Sequence, residues 1–241
     1  NTAEAVRELL EGYVTNDIPV RTVLIDSPWS TRYNDFAVDN QRYPDPARFF
    51  GQLQDQGYRV VLWMTCLVNR RNSDTAVRDA AEFHEEARKA GYLAGDGYEV
   101  RWWKGRGSFI DYTSPRAMEW WHGMQQQVLD WGIDGWKLDG ADTLFSSHGI
   151  IPWQRTASGW ISTRSYMDLY NREEYRHGLS RNPEFAVRLV ERSAAGATVA
   201  HVDGSRTAVA WGRRNAELSG LADRPVRCSR RRLPTSAQAS C

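Results

Sequence analysis

Cysteine, lysine and long apolar runs are all scarce in this chain of 241 residues. Its three cysteines form no CxxC pair and its five histidines show neither HxH nor HxxxH spacing, so we expect no disulfide framework, no metal and no other cofactor. No apolar stretch reaches the roughly 18 residues of a membrane-spanning helix. The formal net charge of +1 predicts no attraction to nucleic acid or to acidic membranes.

Two common functional motifs are also absent, and the C-terminal part of the chain lacks aromatic residues. The chain has no GxSxG motif of serine hydrolases and no GxxxxGK[ST] phosphate loop. No aromatic residue follows Trp211. The stretch Arg101–Arg106 mixes aromatic and basic residues, but it is too short and local to predict a nucleic-acid partner.

Apolar runs that predict strands alternate with segments of helical periodicity, which favours a parallel α/β fold. The runs Val23–Ile25 and Val60–Trp63 are apolar throughout, as expected of strands that are covered on both faces. Long segments follow the strands, where a barrel keeps its functional site. Strands are predicted at 20–25, 59–63, 135–138 and 198–202, helices at 2–15, 46–56, 73–90, 114–131, 165–178 and 183–190, and loops at 27–45, 92–113 and 140–163.

The segment Gly135–Leu138 predicts a short strand that ends at an acidic residue. Lys137 precedes Asp139 by two positions, so both side chains share one face of an extended strand. A neighbouring cation favours the ionised form of a carboxylate, which suits a nucleophile or a charge stabiliser at the mouth of a barrel. The alternatives are an ordinary turn at Asp139-Gly140 and a solvated edge-strand lysine.

Two other predicted strands end at residues that could bind a ligand. Asp26 ends the first strand and Trp63 the second. Aromatic faces combined with carboxylates suit a sugar, which has an apolar ring face and a hydroxyl edge, and Trp29, Tyr33 and Asn34 add such groups to the first loop. The alternatives are a helix-capping role for Asp26 and a place in the core for Trp63.

These residues resemble glycoside hydrolase family 31 at five segments that occur in the family's order and spacing. The resemblance covers about residues 1 to 197, and Asp142 stands where the family's nucleophile motif has Glu. The matching segments are Leu24–Trp29 with Asn34–Phe36, Arg42–Pro46, Leu53–Trp63, Ile110–Pro115 with Trp120-Trp121, and Trp136–Asp142.

The resemblance implies a retaining α-glycosidase on a (β/α)8 TIM barrel. Asp139 would be the catalytic nucleophile. Arg192, which precedes Ser193 and Gly196 as in the family's R-S-x-x-G pattern, would reach the active site. The substrate-binding residues would be Asp26, Trp63, Trp136, Lys137 and Arg192.

The chain departs from the family where the second catalytic carboxyl group is expected. Trp211-Gly212 is followed by Arg213 instead of Asp, and Asp203 is a weak substitute as acid/base residue. Only about four or five of the eight β/α units of a barrel can be counted in the chain. We expect an incomplete barrel over residues 1–212, with about β/α units 2–5. Residues 213–241 would be an Arg/Ser-rich tail that is either disordered or the product of a reading-frame error.

The predicted function is hydrolysis of α-glycosidic bonds by a retaining mechanism, with a carbohydrate substrate as partner. One alternative is an α-galactosidase-type barrel of a related family. The other is a catalytically silent, carbohydrate-binding barrel fragment. An open part-barrel leaves unpaired sheet edges, so we expect the isolated chain to aggregate and to show little activity.

Overall fold

The computed structural model describes residues 2–139, 153–183 and 185, together with the backbone of 199–202 and 226–229. It divides into two compact units, Asn1–Phe185 and Ala186–Cys241. The first unit contains five α-helices and eight strands among its described residues. The helices are α1 (Ala3–Thr15), α2 (Pro46–Asp55), α3 (Ala81–Lys89), α4 (Pro115–Asp130) and α5 (Thr163–Arg181), and the strands are β1 (Thr22–Ile25), β2 (Arg59–Met64), β3 (Leu67–Asn72), β4 (Val100–Trp102), β5 (Gly105–Phe109), β6 (Gly135–Leu138), β7 (Trp153–Thr156) and β8 (Gly159–Ser162).

A three-stranded parallel sheet in the order β1-β2-β6 lies at the centre of the first unit. Ile25 pairs with Leu62, and Leu62 pairs with Trp136. This pairing confirms the predicted parallel arrangement of the three strands. Because the strands run in one direction, their C-terminal residues meet at one edge of the sheet.

One face of this sheet packs into the core and the other is partly open. Val23, Ile25 and Leu62 are buried, whereas Leu24 on the opposite face is 48% exposed. The prediction that β1 is covered on both faces was therefore wrong. An apolar sequence alone cannot show whether a second layer covers a strand, because both faces of β1 carry aliphatic residues.

Helices α2 and α4 begin close to the residues predicted for them, and each start has a capping side chain. The side chain of Asp45 accepts a hydrogen bond from the Arg48 amide at the start of α2, and Ser114 accepts one from the Ala117 amide at the start of α4. In both helices a proline occupies the first turn, where its missing N–H costs nothing. The buried faces of these helices contribute Phe49, Phe50, Leu53, Trp121, Val128 and Leu129 to the core.

A second, antiparallel sheet has the order β3-β5-β4, and its strands β4 and β5 lie in the predicted loop 92–113. The predicted helix 73–90 is helical only at Ala81–Lys89. Buried Asn69 and Asn72 hide the strand pattern, because side-chain hydrogen bonds satisfy their amides inside the sheet. Gly107 lets the strands approach closely, since a Cβ there would lie 2.4 Å from the Val68 carbonyl oxygen.

The second unit contains two strands among its described residues. Strand β9 (Val199–Val202) pairs in parallel with β10 (Val226–Ser229). Strand β9 confirms the predicted strand at 198–202, whereas the predicted helix at 183–190 lies largely outside the described residues. Within the part of the chain that the structure describes, no helix has the length and apolar character needed to cross a membrane.

Candidate active site

Asp26, Lys137 and Asp139 form a charged cluster at the C-terminal edge of the parallel sheet. Lys137 Nζ lies 2.7 Å from Asp26 Oδ2 and 3.4 Å from Asp139 Oδ2. Asp26 follows β1 directly, and Asp139 follows β6. The ammonium group therefore connects two carboxylates that come from the two outer strands of the sheet.

Lys137 is closer to Asp26 than to the partner predicted from sequence, Asp139. The hydrogen bond to Asp26 is the main cause that raises the pKa of Lys137, and the charge of Asp139 acts in the same direction. The shared face of Lys137 and Asp139 was predicted correctly from the two-residue period of a strand. The contact with Asp26 depends on the strand order, which no local pattern contains.

Trp63 contacts the Asp139 carboxylate through the edge of its ring. Its Nε1 donates a hydrogen bond of 2.8 Å to Asp139 Oδ2, while the side chain is only 1% exposed. Tyr33 packs edge-on against the indole at a centroid distance of 5.6 Å, and Trp102 stacks on it at 6.3 Å with an interplanar angle of 6°. These neighbours fix the ring so that its N–H points at the carboxylate.

The two oxygens of Asp139 have different surroundings. Trp63 and Lys137 both contact Oδ2. Among residues 2–139, 153–183 and 185, no group donates a hydrogen bond to Oδ1. The carboxylate is thus oriented through one oxygen, and the side chain is partly exposed, at 37%.

The loop between β1 and α2 supports β2 with the residues that the sequence suggested for sugar contacts. Trp29 Nε1 donates a 2.6 Å hydrogen bond to the Trp63 carbonyl. The Asn34 side chain donates to the carbonyls of Thr65 and Leu67 at 2.9 and 2.8 Å. Trp29 and Asn34 are buried. These residues therefore hold the end of β2 and do not present their side chains to solvent.

One predicted site residue, Trp136, does not reach this cluster. Trp136 lies on the opposite face of β6 from Lys137, where its ring packs against Phe36 and Phe185. Its alternation with Lys137 along the strand explains this placement. Asp142, Arg192 and Asp203 lie outside the described residues.

Sequence reasoning missed Trp102, which stacks on Trp63. Trp102 falls in a segment that was predicted to be a loop and is in fact β4. The adjacent pair Trp102-Trp103 was the available signal. The described part of the chain holds no group of three His, Cys, Asp or Glu side chains that could bind a metal ion.

A family model described as the glycosyl hydrolases family 31 TIM-barrel domain matches residues 1–202. This match spans most of the chain. The chain belongs to glycosyl hydrolase family 31. The parallel sheet of the structure is the arrangement expected in the barrel domain of this family. The match confirms the resemblance seen in the five sequence segments.

Curated relatives of this family 31 chain are longer proteins. It is 27% identical to the myogenesis-regulating glycosidase of Mus musculus, over 70% of the chain and 24% of the relative. It is 25% identical to an alpha-xylosidase of Emericella nidulans, over 86% of the chain and 25% of the relative. It is 27% identical to alpha-glucosidase 2 of Bacillus thermoamyloliquefaciens, over 56% and 17%. The chain spans about a quarter or less of these proteins.

Solved structures show the same fold. A Flavobacterium johnsoniae GH31 dextranase complexed with glucose aligns with a TM-score of 0.66 at 20% identity, over 76% of the chain and 23% of the dextranase. At this identity the likeness concerns the fold alone. It supports a (β/α)8 barrel as the architecture to which the parallel strands belong.

Proposed function

We propose that this family 31 chain carries the nucleophile half of a retaining α-glycosidase, with Asp139 as nucleophile. The observation that supports this most strongly is the asymmetry of the Asp139 carboxylate. Oδ2 is oriented by Trp63 and faces Lys137, whereas Oδ1 has no donor among the described residues. A carboxylate nucleophile needs a fixed orientation and one oxygen that is free to attack.

The proposed first step is attack of Asp139 Oδ1 on the anomeric carbon of an α-glycoside. A C–O ester bond forms as the bond to the leaving-group oxygen breaks, and the electron pair leaves with that oxygen. Water then attacks the same carbon and gives up a proton to the second carboxylate or to solvent, the ester bond breaks, and Asp139 returns to a carboxylate. Two inversions at the anomeric carbon retain the α configuration.

Asp26 and Lys137 would bind the sugar beside the reacting carbon. Lys137 donates its hydrogen bond to Asp26, so Asp26 acts as an acceptor and can receive hydrogen bonds from sugar hydroxyls. The positive charge of the ammonium group also offsets the repulsion between the two nearby carboxylates. The substrate-binding roles that the family resemblance implies for Trp63 and Arg192 remain part of this proposal, whereas Trp136 is left out because its ring packs on the opposite face of β6.

A retaining mechanism requires a second carboxyl group about 5–5.5 Å from the nucleophile, to protonate the leaving group. Asp203 is the candidate within this chain, and Arg213 stands where the family resemblance predicts the acid. Without such an acid, departure of an ordinary sugar alcohol would be slower by roughly 10²–10⁴-fold. Leaving groups that need no proton would be affected far less.

The proposed substrate class is an α-linked glucoside or xyloside. Relatives named alpha-xylosidase and alpha-glucosidase support this class. We further propose that residues 1–212 form β/α units 2–5 of the barrel and that residues 213–241, whose strand β10 pairs with β9, follow them as an Arg/Ser-rich segment. Hydrolysis rates with a panel of aryl α-glycosides would identify the preferred sugar.

Trapping with 5-fluoro-α-glucosyl and 5-fluoro-α-xylosyl fluorides tests the nucleophile. Fluoride leaves without protonation, so the trap reports on Asp139 even where the acid is missing. We expect a covalent mass increase that maps to the peptide containing Asp139, and no increase in Asp139→Asn. Label on another carboxylate would reject Asp139 as the nucleophile.

The second candidate function is a carbohydrate-binding barrel without catalysis. Arg213 in the position expected for the acid favours it. Saturable binding of an α-linked oligosaccharide by calorimetry, without covalent label from either trap, would support this candidate over the enzyme.

A further inference from the structure

The hydroxyl group of Tyr170, on α5, and the backbone N–H of Asp139 share one hydrogen-bond acceptor, the Met64 carbonyl. Tyr170 Oη donates a 3.2 Å hydrogen bond to the Met64 carbonyl. The same carbonyl accepts the backbone N–H of Asp139 at 3.0 Å. Three groups from three elements thus meet at the point where β6 ends.

This meeting point matters because Asp139 lies one residue beyond β6. The Asp139 N–H donates a hydrogen bond to the Met64 carbonyl. This is the last hydrogen bond between β2 and β6, next to their last paired residues, Met64 and Leu138. A residue at the end of a strand has fewer backbone restraints than one inside it. The position of the Asp139 Cα, and so of its carboxylate, depends on this last hydrogen bond.

Other buried groups fix the Tyr170 ring. Tyr112 packs against it at a centroid distance of 5.5 Å. The Tyr112 hydroxyl in turn donates a 2.5 Å hydrogen bond to Glu174, one helical turn beyond Tyr170 on α5. Tyr170 is fully buried. Packing against neighbouring buried side chains therefore fixes the position of the Tyr170 hydroxyl.

We propose that Tyr170 is the positioning residue for Asp139: its hydroxyl locks the end of the β2–β6 ladder and so sets where the carboxylate lies. This inference rests on the proposed role of Asp139 as nucleophile for its catalytic consequence. Its structural consequence, the geometry of the contact between Asp139 and Trp63, does not depend on catalysis.

Tyr166 provides a matched control on the same helix. It is one turn before Tyr170 and also fully buried, and its hydroxyl donates a 2.7 Å hydrogen bond to the Ile110 carbonyl. Tyr166→Phe therefore removes a buried tyrosine hydroxyl that contacts Ile110 and Cys66 instead of Met64. A general loss of stability should appear in both variants, whereas a loss of positioning should appear only in Tyr170→Phe.

The experiment compares the full chain with Tyr170→Phe and Tyr166→Phe in two measurements. The first is the ¹H–¹⁵N signal of the Trp63 indole, assigned by its disappearance in Trp63→Phe, because that N–H donates to Asp139. The second is the rate of covalent trapping by the 5-fluoroglycosyl fluoride. We expect Tyr170→Phe to move the indole signal and to slow trapping by about 10- to 100-fold, with Tyr166→Phe near wild type in both.

The outcomes separate this inference from the proposed function. Equal indole signals and trapping rates in the two variants would overturn the positioning role. A moved indole signal in Tyr170→Phe, with no trapping even in the wild type, would support positioning and reject the nucleophile. If Tyr170→Phe does not fold, 3-fluorotyrosine at position 170 keeps the ring and hydroxyl but alters its donor strength, and an unmoved indole signal would then contradict the inference.

Discussion

Lys137 joins two carboxylates whose strands are not adjacent in the sheet. Strand β2 separates β1 from β6, yet Lys137 Nζ reaches Asp26 at 2.7 Å and Asp139 at 3.4 Å. The long side chain of lysine spans this distance along the sheet edge. Removing its charge would leave two carboxylates facing each other without a cation, which favours their separation.

We expect Lys137→Met to slow covalent trapping at Asp139 by about 10²-fold, because the carboxylates would move apart by repulsion and lose their alignment. Methionine keeps most of the apolar stem of lysine and removes the charge together with the hydrogen bond to Asp26. Trapping kinetics followed by intact-mass spectrometry measure the effect. Lys89→Met, at an exposed lysine that pairs with Glu85 on α3, is the control and should trap at the wild-type rate.

A wild-type trapping rate in Lys137→Met would show that the ammonium group does not organise the site.

At the scale of single residues the sequence predicted the strand-end acids Asp26 and Asp139 and the strand face that Lys137 shares with Asp139, because the two-residue period of a strand is a local property. It could not predict that Trp63 turns its N–H edge to Asp139 while its face is covered. That arrangement depends on Tyr33 and Trp102, which come from distant segments.

The contact between α4 and α5 encloses a buried carboxyl group, Glu174. It accepts hydrogen bonds from Tyr112 at 2.5 Å, Trp121 at 2.7 Å and Gln125 at 2.8 Å. Burial nevertheless raises the pKa of Glu174 to about 7, against 4.5 for the free group. On the same two helices His122 and His177 stack at 4.0 Å.

These groups make the stability of the α4–α5 contact depend on pH in opposite directions. The pKa of Glu174 is raised in the folded state, so its contribution to stability is complete below pH 4.5 and is lost as the pH rises through about 7. Burial lowers the pKa of His122 to about 3 and of His177 to about 4, so both favour folding as the pH rises toward 6.5. A variant at Glu174 separates the two effects.

We expect Glu174→Gln to gain stability relative to the wild type as the pH rises from 4.5 to 8, by up to about 3 kcal/mol. Glutamine keeps the size of the side chain but does not titrate, and both proteins retain His122, whose Nε2 lies 3.9 Å from Glu174 Oε2, and His177. Urea unfolding at a series of pH values measures the difference. Glu173→Gln, on the partly exposed neighbour that pairs with Arg172 and Arg176, should show a much smaller change. A difference that does not vary with pH would mean that the carboxylate stays ionised in the fold.

At the scale of elements, the predictions were most accurate where capping residues mark helix ends and apolar runs mark parallel strands. They were wrong for the loop 92–113, which contains β4 and β5, and they missed β3, where Asn69 and Asn72 place polar side chains inside a strand. The burial of α5 also has no sequence signal, since its inward residues Tyr166, Tyr170 and Glu174 are polar and depend on hydrogen bonds to other elements.

The whole first unit carries a parallel sheet whose two outer strands each have one partner among the described residues. Strands β1 and β6 both pair with β2. Unpaired strand edges bind other strands, and an aliphatic side chain beside such an edge strengthens the contact. Leu24 lies on β1 in this position, on the same face as Asp26 and 48% exposed.

We expect the chain to associate in a concentration-dependent manner through this face, and Leu24→Lys to reduce the association. A lysine on an edge strand opposes pairing because its charge must be desolvated. Light scattering coupled to size-exclusion chromatography at several concentrations measures the mass. Leu9→Lys replaces a leucine of similar exposure, 52%, on helix α1, which offers no strand edge. A mass that both variants lower equally would show that general surface hydrophobicity drives association, and a monomer at all concentrations would show that the sheet edge is covered.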